Sequence, residues 1–207
     1  MYDELFRSFV SGIEKDIGYV LDLGGATPHS GPIKREHIGS GVRYFSMDYS
    51  LEKGPHVVGD IHHLPFKDGA IHHIVCSAVL EHVMAPWKAA AEMHRVLWKG
   101  GRVFGFVPFL YPYHSDPLDY YRFTEHGIRY LFKDFEAVRI ASHGGYFHTV
   151  VCFLVGFREL RIRLYPIARL LESATAFVLR NKSHKRWRGS VHSLRRSTWG
   201  HDFLAVK

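Results

Sequence analysis

Val20-Leu21-Asp22-Leu23-Gly24-Gly25-Ala26-Thr27 decides how this chain is read. An apolar strand that closes on an acid and then glycines lets the backbone approach a ligand at the carboxyl edge of a sheet, where open α/β folds bind nucleotides. The glycines do not continue as G-x-G-x-x-G, because from Gly24 the chain runs Gly-Gly-Ala-Thr-Pro-His. A dinucleotide fingerprint is therefore absent.

On either side of this stretch, short apolar runs alternate with helix-compatible segments up to about residue 150, the pattern of an α/β fold with a mostly parallel sheet. Strands are predicted at 19–23, 42–48, 56–59, 71–77, 101–108 and 135–142, with His201 to Lys207 as a closing strand. The clearest helix is Trp87 to Leu97, with Pro86 at its entry and Gly100-Gly101 to end it. Shorter helices are expected over 2–16 and 124–132. Residues 143–200 form an excursion before the closing strand, and within it Leu160, Leu164, Ile167, Leu171, Ala174 and Val178 make one apolar stripe at helical spacing, interrupted by Pro166.

The chain has 207 residues, 46% hydrophobic and 23% charged, which suits one folded domain spanning 1–207 and excludes collagen-like, coiled-coil and wholly disordered classes. Cys76 and Cys152 both sit in apolar runs and read as buried thiols in a reducing compartment. The opening Met1-Tyr2-Asp3-Glu4 carries acids where a secretory signal carries bases, and the longest apolar run, Phe147 to Phe157, is too short to span a bilayer. A cytoplasmic location is expected, with the inner membrane face as a place it could dock. Charge is unevenly placed: Arg158 to Arg196 holds 11 Lys or Arg against Glu159 and Glu172, a net +9, while the other residues sum to −2. Such a tract suits a phosphate-bearing or anionic-lipid neighbour, or a plain solvated helical face.

Further ordered elements follow the first. The second strand ends at Asp48-Tyr49, where a carboxylate can accept both hydroxyls of a ribose. Then come Val58-Gly59-Asp60-Ile61-His62-His63-Leu64-Pro65-Phe66, Cys76-Ser77-Ala78-Val79-Leu80-Glu81-His82-Val83, and Arg95-Val96-Leu97-Trp98-Lys99-Gly100-Gly101-Arg102-Val103. From about residue 18 to 142, and again at the closing strand, this set resembles the class I S-adenosylmethionine-dependent methyltransferases, specifically the small type 11 group.

That resemblance implies a Rossmann-like seven-stranded sheet, mostly parallel with an antiparallel last strand, here with a helical basic insertion at 143–200. It implies S-adenosyl-L-methionine as cofactor, with Asp22, Gly24 and Gly25 lining its methionine end, Asp48 and Tyr49 at the ribose, Asp60 and Ile61 at the adenine, and Ser77 closing the pocket, with Glu81 and His82 just beyond. The chain departs from its relatives at Ala26 and Pro28, where later glycines are common, and at His72-His73, where Phe-Asp is usual. The reaction it implies is methyl transfer, which asks the protein for positioning and desolvation, plus a base when the acceptor must lose a proton.

The acceptor is expected to meet the run Pro108 to Thr124, rich in aromatic and titratable groups. His114 is the candidate general base, since imidazole titrates near neutral pH, and packing within the loop is the plainer alternative. Tyr111, Tyr113, Tyr121 and Arg122 are candidate acceptor-binding residues, with pairing to Asp116 or Asp119 as the competing role for Arg122, and Thr124 reads as a helix N-cap. A similar run in relatives associated with bacterial surface-polysaccharide genes makes a small molecule or a glycan, including a lipid-linked one, the expected acceptor. Adjacent histidines on a strand face opposite ways and no Cys or acid completes a tetrahedral set at His62-His63 or His72-His73, so no metal is expected. The basic insertion leaves open contact with an anionic membrane, a homodimer contact, or a nucleic-acid methyltransferase or binder, the last lacking any recognisable RNA motif. A non-catalytic cofactor-binding scaffold is the remaining alternative.

Overall fold

The computed structural model describes residues 4–14, 18–25, 32–115, 117–154, 164, 166, 167, 169–171, 173, 174, 177 and 197–207. Seven strands form one sheet: β1 (Gly18–Leu23), β2 (Val42–Asp48), β3 (Val57–Val58), β4 (Ile71–Ser77), β5 (Leu97–Pro108), β6 (Ala137–His143) and β7 (Gly200–Val206), in the order β3-β2-β1-β4-β5-β7-β6. The pairs β1–β2, β1–β4, β2–β3 and β4–β5 are parallel. β7 runs the other way: Gly100 donates to the Lys207 carbonyl and Lys207 to that of Gly101, and Glu136 donates to the Val206 carbonyl, so the end of β7 lies beside the beginnings of β5 and β6. The mostly parallel sheet with an antiparallel β7 expected from the sequence is the one observed.

By contact, the chain divides into two compact units, Met1–Val107 with Ser115–Ala141 and Asp202–Lys207, and Pro108–His114 with Ser142–His201. In the first, helix α1 (Glu4–Ile13) buries Leu5, Phe6, Phe9, Val10 and Ile13, a spacing that places all five on one helical face. They pack with Val20, Val75, Phe104 and Leu204 of the sheet. A separate core joins Leu21, Leu23, Ile74, Cys76 and Val103 to helix α2 (Pro86–Val96), through Ala89, Ala90, Met93 and Val96, and to α3 (Glu125–Leu131) through Ile128. Each fully buried large side chain contributes about 1.5–3 kcal/mol relative to exposure. The sheet is thus held from both faces, which leaves its carboxyl edge for the site.

Two local features differ from expectation. Helix α2 ends at Val96 and β5 begins at once at Leu97, so Gly100-Gly101 do not terminate the helix. They lie in an irregular stretch of β5, where Ile71 pairs with Leu97 but His73 with Arg102, and Gly100 takes φ +80° while its N–H meets the end of β7. Thr124 caps α3 as read, its Oγ1 accepting from Gly127 N–H at 3.1 Å.

In the second unit, the apolar run read only for its length is a helix, α4 (Tyr146–Leu154). Phe109 and Leu110 donate to the carbonyls of Trp199 and Thr198 at 3.0 and 3.3 Å, and Thr149 Oγ1 donates to the Ser197 carbonyl at 2.8 Å. The described residues between 164 and 177 are helical, with Ile167, Leu170, Leu171 and Phe177 exposed. Leu160, Val178 and most of the basic tract lie outside the described residues, as do Ala26, Pro28 and Asp116. Among the described residues, no helix is long and apolar enough to cross a membrane.

Candidate cofactor site at the carboxyl edge

The loops that leave β1, β2, β3 and β4 enclose a cavity of about 340 Å³ in the first unit. Gly24 and Leu23 line it from β1, Met47, Asp48, Tyr49 and Lys53 from β2, Asp60, Ile61 and His62 from beyond β3. Ala78, Val79, His82, Val83 and Met84 line it from beyond β4, and Pro117, Leu118 and Tyr120 complete the wall. The volume falls within the ordinary range for small-ligand sites.

The turn after β1 needs its glycines. Gly24 has φ +70°, its N–H donates to the Met47 carbonyl at 2.8 Å, and a β-carbon there would lie 2.4 Å from Val79 Cγ2. A β-carbon on Gly25 would lie 2.6 Å from Cγ of Asp22. Asp22 itself is buried and stands behind the turn, accepting a 2.7 Å hydrogen bond from the Tyr44 hydroxyl. Burial pushes its carboxyl up to about 6, against the Tyr44 hydrogen bond and the charge of Lys34.

At the end of β2, Asp48 is buried, accepts from Ser50 N–H at 3.0 Å, and has Lys53 Nζ 4.0 Å from its other oxygen. The Lys53 ammonium also lies over the exposed Tyr49 ring, 5.6 Å from its centroid. Gly59 N–H donates to the Asp48 carbonyl, which sets the loop carrying Asp60 beside it. Asp60 is held below the usual carboxylate range, chiefly by the hydrogen bond from the His62 backbone N–H.

After β4 the chain turns tightly. Ala78 has φ +54°, a strained value for a residue with a β-carbon, and its N–H donates to the Phe106 carbonyl. The 3-10 turn Leu80–His82 follows. Its Glu81 carbonyl accepts from Tyr120 and Tyr121 N–H, and His82 Nδ1 donates to the Leu118 carbonyl at 2.5 Å. Tyr121 OH donates to the Met84 carbonyl at 2.8 Å. These four bonds fix residues 117–121 as a wall of the cavity. Burial pushes the Glu81 carboxyl up to about 7, partly offset by its own backbone N–H and by the charges of His82 and Arg122.

Of the residues read as cofactor-binding, Gly24, Asp48, Tyr49, Asp60 and Ile61 line this one cavity. Asp22, Gly25 and Ser77 do not: Asp22 and Gly25 pack against each other behind the turn, and Ala78 takes the lining place next to Ser77. Of the acceptor candidates, Arg122 is engaged by Asp119 through two bonds of 2.5 and 2.7 Å, the pairing read as its alternative role, and Tyr121 is held by Met84. Tyr111, Tyr113 and His114 belong to the second unit, where His114 packs edge-on against Tyr111 and its Nδ1 lies 3.3 Å from the Pro112 carbonyl. Sequence reading missed Lys53, His62, Met84 and Tyr120. Nothing in the local sequence marks Met84 or Tyr120, whereas an Asp-x-His spacing after a strand is a visible signal for a carboxylate-imidazole pair.

The donor set fits an adenosyl cofactor: a buried acid at a strand end, a second acid beyond the neighbouring strand, a glycine turn with no room for a β-carbon, and apolar walls. Comparison with known proteins points the same way. Residues 41–105 match the family model described as "Methyltransferase domain". A 46-residue stretch, 22% of the chain, is 50% identical to an uncharacterized 37.1 kDa protein in transposon TN4556 of Streptomyces fradiae, of which it covers 13%. Among solved structures, phosphoethanolamine N-methyltransferase 2 of Haemonchus contortus, in complex with phosphomonomethylethanolamine and S-adenosylhomocysteine, superposes over 98% of this chain and 51% of its own, with TM-score 0.58 at 17% identity. A SAM-dependent methyltransferase from Archaeoglobus fulgidus does so over 98% and 91%, with TM-score 0.62 at 11% identity. A Haloferax volcanii methyltransferase, solved with its Trm112 activator, gives 98% and 87%, TM-score 0.59 and 18% identity. The chain thus spans about half the length of the Haemonchus protein and a small part of the Streptomyces one. Asp48, Asp60, Glu81 and Gly101 all fall inside the segment that matches the methyltransferase-domain model, and over the whole chain the likeness to these solved methyltransferases is one of fold.

Proposed function

We propose that this protein binds S-adenosyl-L-methionine in the carboxyl-edge cavity and transfers its methyl group to a small-molecule or glycan acceptor, lipid-linked glycans included. The observation that carries the reading is the meeting of Gly24, Asp48 and Asp60, from three different loops, on one cavity. When bound, the cofactor supplies a methyl group already activated on a sulfonium.

The chain's own residues then do the rest. Asp48, held by Ser50 N–H, accepts the ribose hydroxyls, and Asp60 accepts from the adenine amino group. Met47, Ile61, Val79 and Leu118 exclude water, which strengthens every polar contact inside the cavity. Tyr121 and Arg122, in the first unit, receive the acceptor, and a base is needed only when the acceptor has a proton to lose, the role read for His114 of the second unit. The exposed apolar side chains of 167–177, within a tract of net +9, rest on an anionic membrane surface, which brings a lipid-linked acceptor to the enzyme. Homodimerisation is the alternative use of that face.

Calorimetric titration of S-adenosylmethionine and S-adenosylhomocysteine, with Asp48→Ala as control, tests the reading. Binding that disappears in the variant supports it. Failure of the unaltered protein to bind either compound would move the non-catalytic scaffold to first place.

A further inference from the structure

Asp60 Oδ1 accepts two hydrogen bonds from one residue: the His62 backbone N–H at 2.9 Å and the His62 ring Nδ1 at 2.6 Å. A carboxylate only accepts, so the ring proton belongs on Nδ1. The other ring nitrogen agrees, since Nε2 accepts the Ala85 N–H at 3.3 Å. Both contacts are satisfied together only by the neutral Nδ1–H tautomer.

The ring is therefore a strut between two walls of the cavity. At one end it holds Asp60; at the other it holds Ala85, the residue that precedes α2 and has no side-chain cap of its own. Met84, next to Ala85, and Ile61, between Asp60 and His62, both line the cavity. The Asp60 side chain is 59% exposed, so without the ring it would sample several rotamers. Among the described residues, Oδ2 of Asp60 carries no hydrogen bond.

We propose that His62 is a positioning residue for cofactor recognition: by engaging Oδ1 of Asp60 and tying it to Ala85, it presents Oδ2 to the exocyclic amino group of the adenine. The proposal rests on the reading of the cavity as the S-adenosylmethionine site. Its consequence is base selectivity. A fixed carboxylate rewards a 6-amino donor, whereas one free to rotate rewards it far less.

The test compares S-adenosylhomocysteine with its 6-deamino analogue, in which hydrogen replaces the amino group, by calorimetry. The native protein is expected to prefer the amino form by about tenfold or more, the range for a hydrogen bond to a charged group. His62→Ala is expected to weaken S-adenosylhomocysteine binding about tenfold, leave the deamino analogue within about twofold, and so erase the preference. His62→Gln, whose amide keeps one donor and one acceptor, should restore part of it. Nitrogen-15 NMR of the ligand-free protein should show His62 protonated at Nδ1, the tautomer less favoured in free imidazole.

Equal loss for both ligands in His62→Ala would reduce His62 to a structural support and overturn the proposal, as would an unchanged preference. Asp60→Asn separates the two levels of the argument. If that variant loses the preference while His62→Ala keeps it, the cofactor reading stands and the positioning role falls. If the native protein binds neither ligand, both fall.

Discussion

The Tyr44 hydroxyl, on β2, donates a 2.7 Å hydrogen bond to Oδ2 of Asp22, on β1, and so braces a buried carboxyl directly behind the glycine turn that lines the cavity. Because burial raises the Asp22 carboxyl from 3.8 to about 6, the folded state holds this proton more tightly than the unfolded chain does. Stability from this group is therefore greatest below about pH 4 and falls as pH rises to about 6, by up to roughly 3 kcal/mol. Asp22→Asn should gain on the native protein across that window and hold a constant advantage above it, in urea unfolding at a series of pH values. Tyr44→Phe should push the Asp22 titration higher still, as read by carbon-13 NMR of the carboxyl.

Gly24→Ala meets both a positive φ and the Val79 methyl at 2.4 Å. Strain of about 1–3 kcal/mol is expected, seen as a lower urea midpoint. Relief of that strain moves the turn, so cofactor affinity should fall as well. A variant as stable as the native protein would show that the turn adapts freely.

Arg122 and Asp119 form a two-bond ion pair in which the Asp119 side chain is only 1% exposed. Removing Arg122 takes two charge-assisted bonds from that buried carboxylate, and Arg122→Ala should cost about 3–5 kcal/mol. The double variant Arg122→Leu with Asp119→Leu should recover much of this. If Arg122→Ala instead leaves stability intact and raises the acceptor's KM alone, the acceptor-binding role is the main one.

Replacing His114 with Ala should lower kcat by roughly 10²-fold at neutral pH if the ring is the general base. A loss below tenfold assigns His114 to packing against Tyr111.

Co-sedimentation with vesicles of anionic and zwitterionic lipid tests the surface at 167–177. Binding is expected to the anionic vesicles only, to weaken with added salt, and to drop when Leu170 and Leu171 are replaced by Ser. Dimerisation that these substitutions abolish, with no vesicle binding, would assign the face to a second copy of the chain.

Much of the fold was legible because its signals are local. Strands β2 and β4 match their predicted limits, since each is a compact apolar run ended by turn residues, and α1 shows its buried face in the spacing of five side chains. The end of α2 was misread because Gly100-Gly101 carry the usual signature of a helix stop, while the backbone there answers to β7, which lies about a hundred residues away in sequence. Helix α4 was read only as an apolar run, because a segment of nine residues that is nearly all apolar shows little periodicity.

The sequence by itself determined the α/β alternation, the closing strand and the acids at the ends of successive strands, because hydrophobic period and turn chemistry are properties of neighbouring residues. Only the tertiary structure decided which of those residues share a cavity. It placed Asp22 behind the turn and Asp48 and Asp60 on the lining, paired Arg122 with Asp119, and made His62 a strut between two loops. Those relationships depend on strand order and on which backbone groups meet across the sheet edge, where a separation of 23 residues, as between His62 and Ala85, becomes a hydrogen bond.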